Sequence, residues 1–253
     1  MSRIIAIANQ KGGVAKTTTA VNLSASLTEH GKKVLLVDLD PQGNASSGVG
    51  VAKHKLSECI YDVLINDVPI KKVIGKTEIK NLFIVPARIE LAGAEIELVG
   101  QPARENKLKE ALSGLKDDFD FIFIDCPPSL GLLTLNALTV ATDVLIPIQC
   151  EYYALEGLTL LMNTLDRVKR SLNSDLNILG VLLTMFDART NLAIQVVDEV
   201  KKYFRSNVFQ TIVPRNVRLG EAPSHGKPIM LYDPRSRGAE VYRDLAEEVL
   251  ERV

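Results

Sequence analysis

Ile4-Ile5-Ala6-Ile7-Ala8-Asn9-Gln10-Lys11-Gly12-Gly13-Val14-Ala15-Lys16-Thr17-Thr18-Thr19 is the stretch on which the fold turns. Five consecutive apolar residues predict a strand over Ile4–Ala8 that is covered on both faces. Two glycines break it, and from Lys16 to His30 helical spacing predicts a helix that stops at Gly31. The same alternation repeats outward. Strands are expected at Val34–Asp38, Leu82–Val85, Phe121–Ile124, Val144–Ile148, Ile178–Met185 and Val208–Val213. Helices are expected near Ala94–Val99, Ala103–Leu115, Leu130–Ala141, Leu155–Leu172, Asn191–Phe204 and Ala239–Glu251. Apolar rather than alternating strands, each followed by a helix, predict an α/β fold with a doubly wound, mostly parallel sheet. No linker, repeat or low-complexity tract divides residues 1–253, so one domain is expected.

Composition sets bounds on function. A charged fraction of 24% and a hydrophobic fraction of 46% fit an ordinary globular chain. A net charge of −1 excludes coating nucleic acid by bulk charge, though not by a local face. Cys59, Cys126 and Cys150 have no paired spacing, which argues against disulfides and a zinc knuckle and fits a reducing cytoplasm. The start has no signal-peptide layout, and no apolar run is long enough to span a membrane.

The turn between the first strand and helix is built for an anion. Gly12 and Gly13 let the backbone approach a phosphate, and the helix start adds N–H groups and a favourable dipole. Val14 and Ala15 complete the turn. Lys16 supplies a cation for the outer phosphates, the Thr17 hydroxyl suits Mg²⁺, and Thr18 can add a further contact. A nucleoside triphosphate with Mg²⁺ is the expected ligand. The pattern G-x-x-x-x-G-K-[ST] is nevertheless not met, because Gln10 and Ala15 stand where it has glycines and a second lysine, Lys11, precedes Gly12. Were position 15 left-handed, Ala would cost roughly 1–2 kcal/mol there; were it right-handed, nothing.

Two strand ends carry carboxylates, where ligands sit in open α/β sheets. Phe121-Ile122-Phe123-Ile124-Asp125 is the layout of a strand that holds Mg²⁺ through water, with Asp125 as the holder. After Val34–Val37, Asp38 and Asp40 lie two apart and are expected to point the same way, with Pro41 ending the strand. Asp40 is the candidate for positioning an attacking water. Asp38 supports either the metal or the Asp40 loop. Each Asp taken alone reads equally well as a cap or turn residue.

The doubled lysine resembles the deviant-Walker-A P-loop ATPases, and longer stretches narrow this to the ParA/Soj chromosome-partitioning family, short chromosomal type. Those stretches are Gln42–Gly48, Cys126–Gly131, Gln149–Gly157, Asp187–Thr190, Val213–Leu219 and Glu221–Pro228. The resemblance implies a P-loop NTPase-like fold and weak ATP hydrolysis stimulated by a ParB-like (Spo0J-like) protein. It also implies an ATP-sandwich homodimer in which Lys11 reaches the partner's nucleotide, and binding of double-stranded DNA without sequence preference. Pro214 and Asn216 would border the adenine, no operator-reading extension precedes the first strand, and the protein would be cytoplasmic and nucleoid-associated, off the membrane.

Charge counting gives the DNA expectation some local support. Between Arg189 and Arg243 lie ten Lys or Arg and five Asp or Glu, a surplus of +5 in a chain of net −1. Arg189 and Arg218, at strand-end loops, are the expected phosphate contacts, with Arg215 beside them; scattered solvated bases are the plainer alternative.

Rivals come from other classes. A MinD-like membrane-cycling ATPase needs a basic amphipathic tail, whereas Asp244–Val253 carries four acids and one base. An iron–sulfur reductase of the nitrogenase iron-protein type needs exposed cysteines. A metabolic ligase or synthetase needs a polar substrate pocket that no motif announces. Tyr152 and Tyr153 read as packing residues, His225 as a loop residue and Cys126 as a small buried one.

Overall fold

The computed structural model describes residues 2–151 and 156–253; the expected packing of Tyr152 and Tyr153 lies outside them. Eight strands are described: β1 (Arg3–Ile7), β2 (Val34–Asp38), β3 (Gly75–Lys76), β4 (Leu82–Val85), β5 (Phe121–Asp125), β6 (Asp143–Gln149), β7 (Asn177–Phe186) and β8 (Val208–Pro214). They form one sheet in the order β3-β4-β2-β5-β1-β6-β7-β8. Every pairing is parallel except β3 with β4. The mostly parallel, doubly wound α/β fold is therefore as the sequence pattern requires. The two-residue antiparallel edge β3 was not expected, since Gly75-Lys76 has neither length nor apolar content to signal a strand.

The helices are α1 (Lys16–Glu29), α2 (Asn44–Gly48), α3 (Ile60–Ile65), α4 (Ile70–Val73), α5 (Leu91–Glu97), α6 (Lys107–Leu112), α7 (Leu132–Val140), α8 (Glu156–Ser171), α9 (Asn191–Phe204), α10 (Val217–Glu221), α11 (Ile229–Tyr232) and α12 (Arg237–Arg252). Two buried clusters lie on opposite sheet faces. One packs α3 to α9 against residues such as Ile4, Val37 and Ile124. The other packs α1, α2 and α10 to α12 against Ile5, Leu36 and Phe123. Successive residues of β1, β2 and β5 alternate between these clusters, which is why their sequences are apolar without a break.

Boundaries differ where local chemistry intervenes. The helix expected over Ala103–Leu115 is shortened to α6, because Ala103 has φ 50° and cannot continue a right-handed helix. Its follow-on, Ser113–Leu115, is a 3₁₀ turn. The helix near Ala94–Val99 begins earlier, at Leu91, and its end tightens into 3₁₀ over Leu98–Gly100. The short helices α2, α3, α4, α10 and α11 escaped the periodicity, since one or two turns give no recurring apolar face. Elsewhere caps fix the ends: Thr190 Oγ1 accepts from Ala193 N and Ser236 Oγ from Ala239 N. The start of α7 is capped from another element, with Glu95 of α5 accepting from the Leu132 and Leu133 amides.

β1 and β5 are neighbours at the sheet centre, with Ile7 beside Asp125, and β2 lies on the other side of β5, with Asp38 beside Asp125. Three motifs far apart in sequence thus meet at one end of the sheet.

Candidate functional site

The Lys11–Thr18 loop is anchored from below before any ligand is considered. Asn9 donates to the Pro147 carbonyl at 2.7 Å and accepts from the Lys11 amide at 3.0 Å. Thr184 Oγ1, from β7, donates to the carbonyl of the buried Val14 at 3.1 Å. Neither Asn9 nor Thr184 has a signal in sequence, because what matters is the carbonyl that each meets. Gly13 has φ 75°, a left-handed backbone that suits only glycine without cost. Ala15 has φ 68° and ψ 31°, so the costly alternative for this residue holds. The loop turns through the left-handed region twice and delivers Lys16 to the first position of α1, whose leading N–H groups have no intrahelical acceptor.

Lys16 is buried, and its ammonium donates to the Lys11 carbonyl at 3.0 Å. Burial lowers its pKa, opposed by the neighbouring Asp125 carboxylate. Lys11 itself is half-buried, and its ammonium has no hydrogen bond or ion pair among the described residues. Thr17 Oγ1 donates to Asp125 Oδ2 at 2.7 Å, joining helix start to strand end across 108 residues of chain. Thr18 is half-buried, with its carbonyl held by Asn22 Nδ2 at 2.7 Å.

Asp125 is fully buried, and its Oδ1 has no partner among the described residues. An orphaned carboxylate oxygen in the interior is costly unless a cation or water meets it. Burial, then the nearby Asp38 charge, push its pKa well above the ordinary carboxylate range. The set consists of one threonine hydroxyl, one orphaned carboxylate oxygen, a buried lysine and free helix N–H groups. It fits a Mg²⁺–nucleotide, since Mg²⁺ keeps several waters and takes few protein ligands beside phosphate. A protein-only cage is not offered: no cluster of three His, Cys, Asp or Glu that could hold a metal occurs among the described residues.

Asp38 and Asp40 do not share an environment. Asp38 ends β2 and is fully buried, whereas Asp40 lies beyond the strand in a half-buried turn, so strand alternation does not reach it. Asp38 Oδ2 accepts from both the amide and the hydroxyl of Ser46, each at 2.7 Å, and Oδ1 from the Asp40 amide at 3.3 Å. Ser46 Oγ in turn accepts from the Ala87 amide at 3.0 Å. Burial pushes the Asp38 pKa up to about 6, against the pull of the Ser46 bonds. With its oxygens spent on Ser46 and Asp40, Asp38 braces the Asp40 loop. Ser46 is a residue that the sequence left without a role.

Pro214 ends β8, and Asn216 caps α10, its Oδ1 accepting from the Arg218 and Leu219 amides. The three arginines expected to meet DNA each hold a carboxylate. Arg189, in the turn after β7, makes a two-pronged pair with Asp187, which pulls that carboxyl below its usual range. Arg215 meets Glu151 at 3.3 Å. Arg218 lies in α10 rather than in a loop and sits between Glu221 at 2.8 Å and Asp233 at 3.6 Å. Two of these acids, Asp187 and Glu151, fall outside the Arg189–Arg243 count, so the surplus of positive charge is smaller than sequence counting suggests.

All three cysteines are free and buried, which leaves no thiolate on the surface to bridge a cluster. Among the described residues no helix is long and apolar enough to cross a membrane.

Comparison with known proteins agrees with this geometry. The family described as "AAA domain" matches residues 2–178. The chain is 64% identical to the sporulation initiation inhibitor protein Soj of Bacillus subtilis, over 98% of each chain. It is 54% identical to the chromosome-partitioning ATPase Soj of Treponema pallidum, over 100% of this chain and 98% of that one. Among solved structures, cobyrinic acid a,c-diamide synthase of Mycobacterium smegmatis, with bound ATP analog and magnesium, superposes with a TM-score of 0.88. It is 41% identical, over 99% of this chain and 95% of that chain. On identity sustained from end to end, the chain belongs to the Soj/ParA family of chromosome-partitioning ATPases.

Proposed function

We propose that the chain is an ATP-driven dimerisation switch that partitions chromosomes or plasmids by binding DNA in its ATP-bound dimer. Lys16 and the first N–H groups of α1 hold the outer phosphates, with Gly12, Gly13, Val14 and Ala15 shaping the cradle and Thr18 closing it. Thr17 and Asp125, the latter through water, hold Mg²⁺, which neutralises charge on the phosphates when bound. Asp40 positions the attacking water, and Asp38 keeps the Asp40 turn in place. Pro214 and Asn216 border the adenine; capping uses the Asn216 carbonyl and leaves its amide N–H free to donate.

The observation that carries the switch is the pair of lysines. Lys16 is folded into its own loop, whereas the Lys11 ammonium is left without a partner among the described residues. A cation that its own chain does not use suits a nucleotide presented by a second copy, which makes charge stabilisation depend on dimerisation. A ParB-like protein then stimulates the slow hydrolysis that resets the dimer. The protein acts in the cytoplasm on the nucleoid.

The membrane-cycling alternative is disfavoured by α12. Its apolar residues Val241, Tyr242, Leu245, Ala246 and Val249 are buried in the core shared with α1 and β8, so they are not offered to lipid. A ligase like the Mycobacterium synthase is the other candidate, but that likeness comes at lower identity than the Soj relatives.

The test is fluorescence anisotropy of a labelled duplex of arbitrary sequence, with ATP, ADP and no nucleotide. Binding with ATP alone, equal across sequences, is expected; equally tight binding with ADP would overturn the switch.

A further inference from the structure

The turn that carries Asp40 is gripped from outside by a residue with no motif to announce it. Asp40 Oδ1 accepts from the Gln42 amide at 2.9 Å, and Gly43 N closes the turn onto the Asp40 carbonyl at 2.8 Å. The carbonyl of the same Gln42 accepts from Lys53 Nζ at 2.7 Å. Lys53 opens the 3₁₀ turn Lys53–Lys55, after α2, and its stem lies over Gly43. A Cβ at Gly43 would fall 2.7 Å from Lys53 Cδ and 2.9 Å from the Ala87 carbonyl oxygen, and Gly43 has φ 62°. Glycine is needed here both for its conformation and for the room it leaves to the lysine. On the outer side lies an open cleft of about 520 Å³, lined by Pro41, Gln42, Lys53, His54, Arg88, Ile89 and Glu90, so the turn is not packed there by apolar core.

We propose that Lys53 is a positioning residue for ATP hydrolysis. By holding the Gln42 carbonyl it fixes the residue whose amide orients the Asp40 carboxylate. The brace is two-sided: Asp38 and Ser46 hold the turn from the core, and Lys53 holds it from solvent. This inference rests on Asp40 being the water-positioning carboxylate. Lys53 touches none of the residues placed around the phosphates, so its loss should loosen orientation in the transition state and leave ground-state binding alone.

The experiment is steady-state Mg-ATP turnover by the full chain for K53M, K53R, D40A and K53M/D40A. Methionine keeps the stem over Gly43 and removes the donor; arginine keeps a donor. K53M should lower kcat by about 5- to 20-fold with KM within about twofold. K53R should recover most of kcat, and adding K53M to D40A should lower turnover no further. Wild-type kcat in K53M beside an inactive D40A would overturn the role of Lys53 alone. Wild-type turnover in D40A would overturn the Asp40 assignment and the Lys53 role with it. A change in KM without kcat, or K53R as impaired as K53M, would also overturn the tether. Thermal melting by circular dichroism separates tether from fold; should K53M fail to fold, K53L, which also lacks a donor, carries the same expectation.

Discussion

Three side chains around the phosphate loop make separable predictions. Lys16 is the buried cation of a site with few other charges to replace it, so Lys16→Ala should weaken ATP binding by on the order of 100-fold or more. Isothermal titration checks this, and unchanged affinity would mean that the anion site lies elsewhere. Ala15 stands at φ 68°, where it costs roughly 1–2 kcal/mol relative to glycine. Gly returns up to about 1 kcal/mol of that through the greater freedom of the unfolded chain. Ala15→Gly should therefore stabilise the protein slightly, raising Tm by roughly 1–4 °C in a thermal melt. A lower Tm would show that the left-handed geometry is not the strain it is taken to be. Asp40→Ala should separate binding from chemistry, keeping ATP affinity while turnover falls, because the phosphate cradle and Asp125 are untouched.

At the scale of elements, the sheet ends on β8, whose register against β7 shifts between Val208 and Ile212, and a side chain takes up amides there. Glu248 of α12 accepts from the Gln210 and Thr211 amides at 2.8 and 3.0 Å and pairs with Arg252 at 2.7 Å. Arg252 also donates to the Leu179 and Val208 carbonyls and lies over the Phe209 ring. Where a ladder loses register its amides lose their strand partner, and this carboxylate accepts from two of them. Glu248→Ala should cost about 1–3 kcal/mol, read as a lower urea midpoint, because it strips partners from two amides and a guanidinium. An unchanged midpoint would show that water replaces the carboxylate at no cost.

Elements also show what a sequence discloses. β1, β2, β4, β5 and β6 were legible because burial on both faces writes them as uninterrupted apolar runs, and β7 and β8, interrupted by Thr184 and by Gln210-Thr211, by their β-branched content. Edge strand β3 and the short helices were not, because their reasons lie in tertiary contacts. The site divides in the same way. Lys16, Thr17 and Asp125 stand in local patterns that bonds across the sheet then join. Ser46, Thr184 and Lys53 act through a few backbone or side-chain contacts 8 to 170 residues away, which no local pattern encodes.

For the molecule as a whole, the arginines proposed to meet DNA do not form a ready-made basic face. Each arginine proposed to meet phosphate already holds a carboxylate, and exposed pairs of this kind contribute little to stability. Phosphate can therefore displace those partners at small cost, but a single copy gains little. In the proposed dimer the number of phosphates neutralised, Z, would double, and the slope of log K against log salt is about −0.9Z on duplex DNA. Arg218→Ala should weaken binding to every duplex alike and flatten that slope, with ATP affinity unchanged. A sequence-selective loss, or none, would remove Arg218 from the interface.

The central claim is that ATP assembles two copies through Lys11, and solution mass tests it most directly. Light scattering behind gel filtration, on the Asp40→Ala protein so that ATP persists, should give twice the chain mass with ATP and a single chain with ADP. Adding Lys11→Ala should return the ATP sample to a single chain while ATP stays bound. A dimer that forms equally with ADP, or that survives the loss of Lys11, would contradict the account.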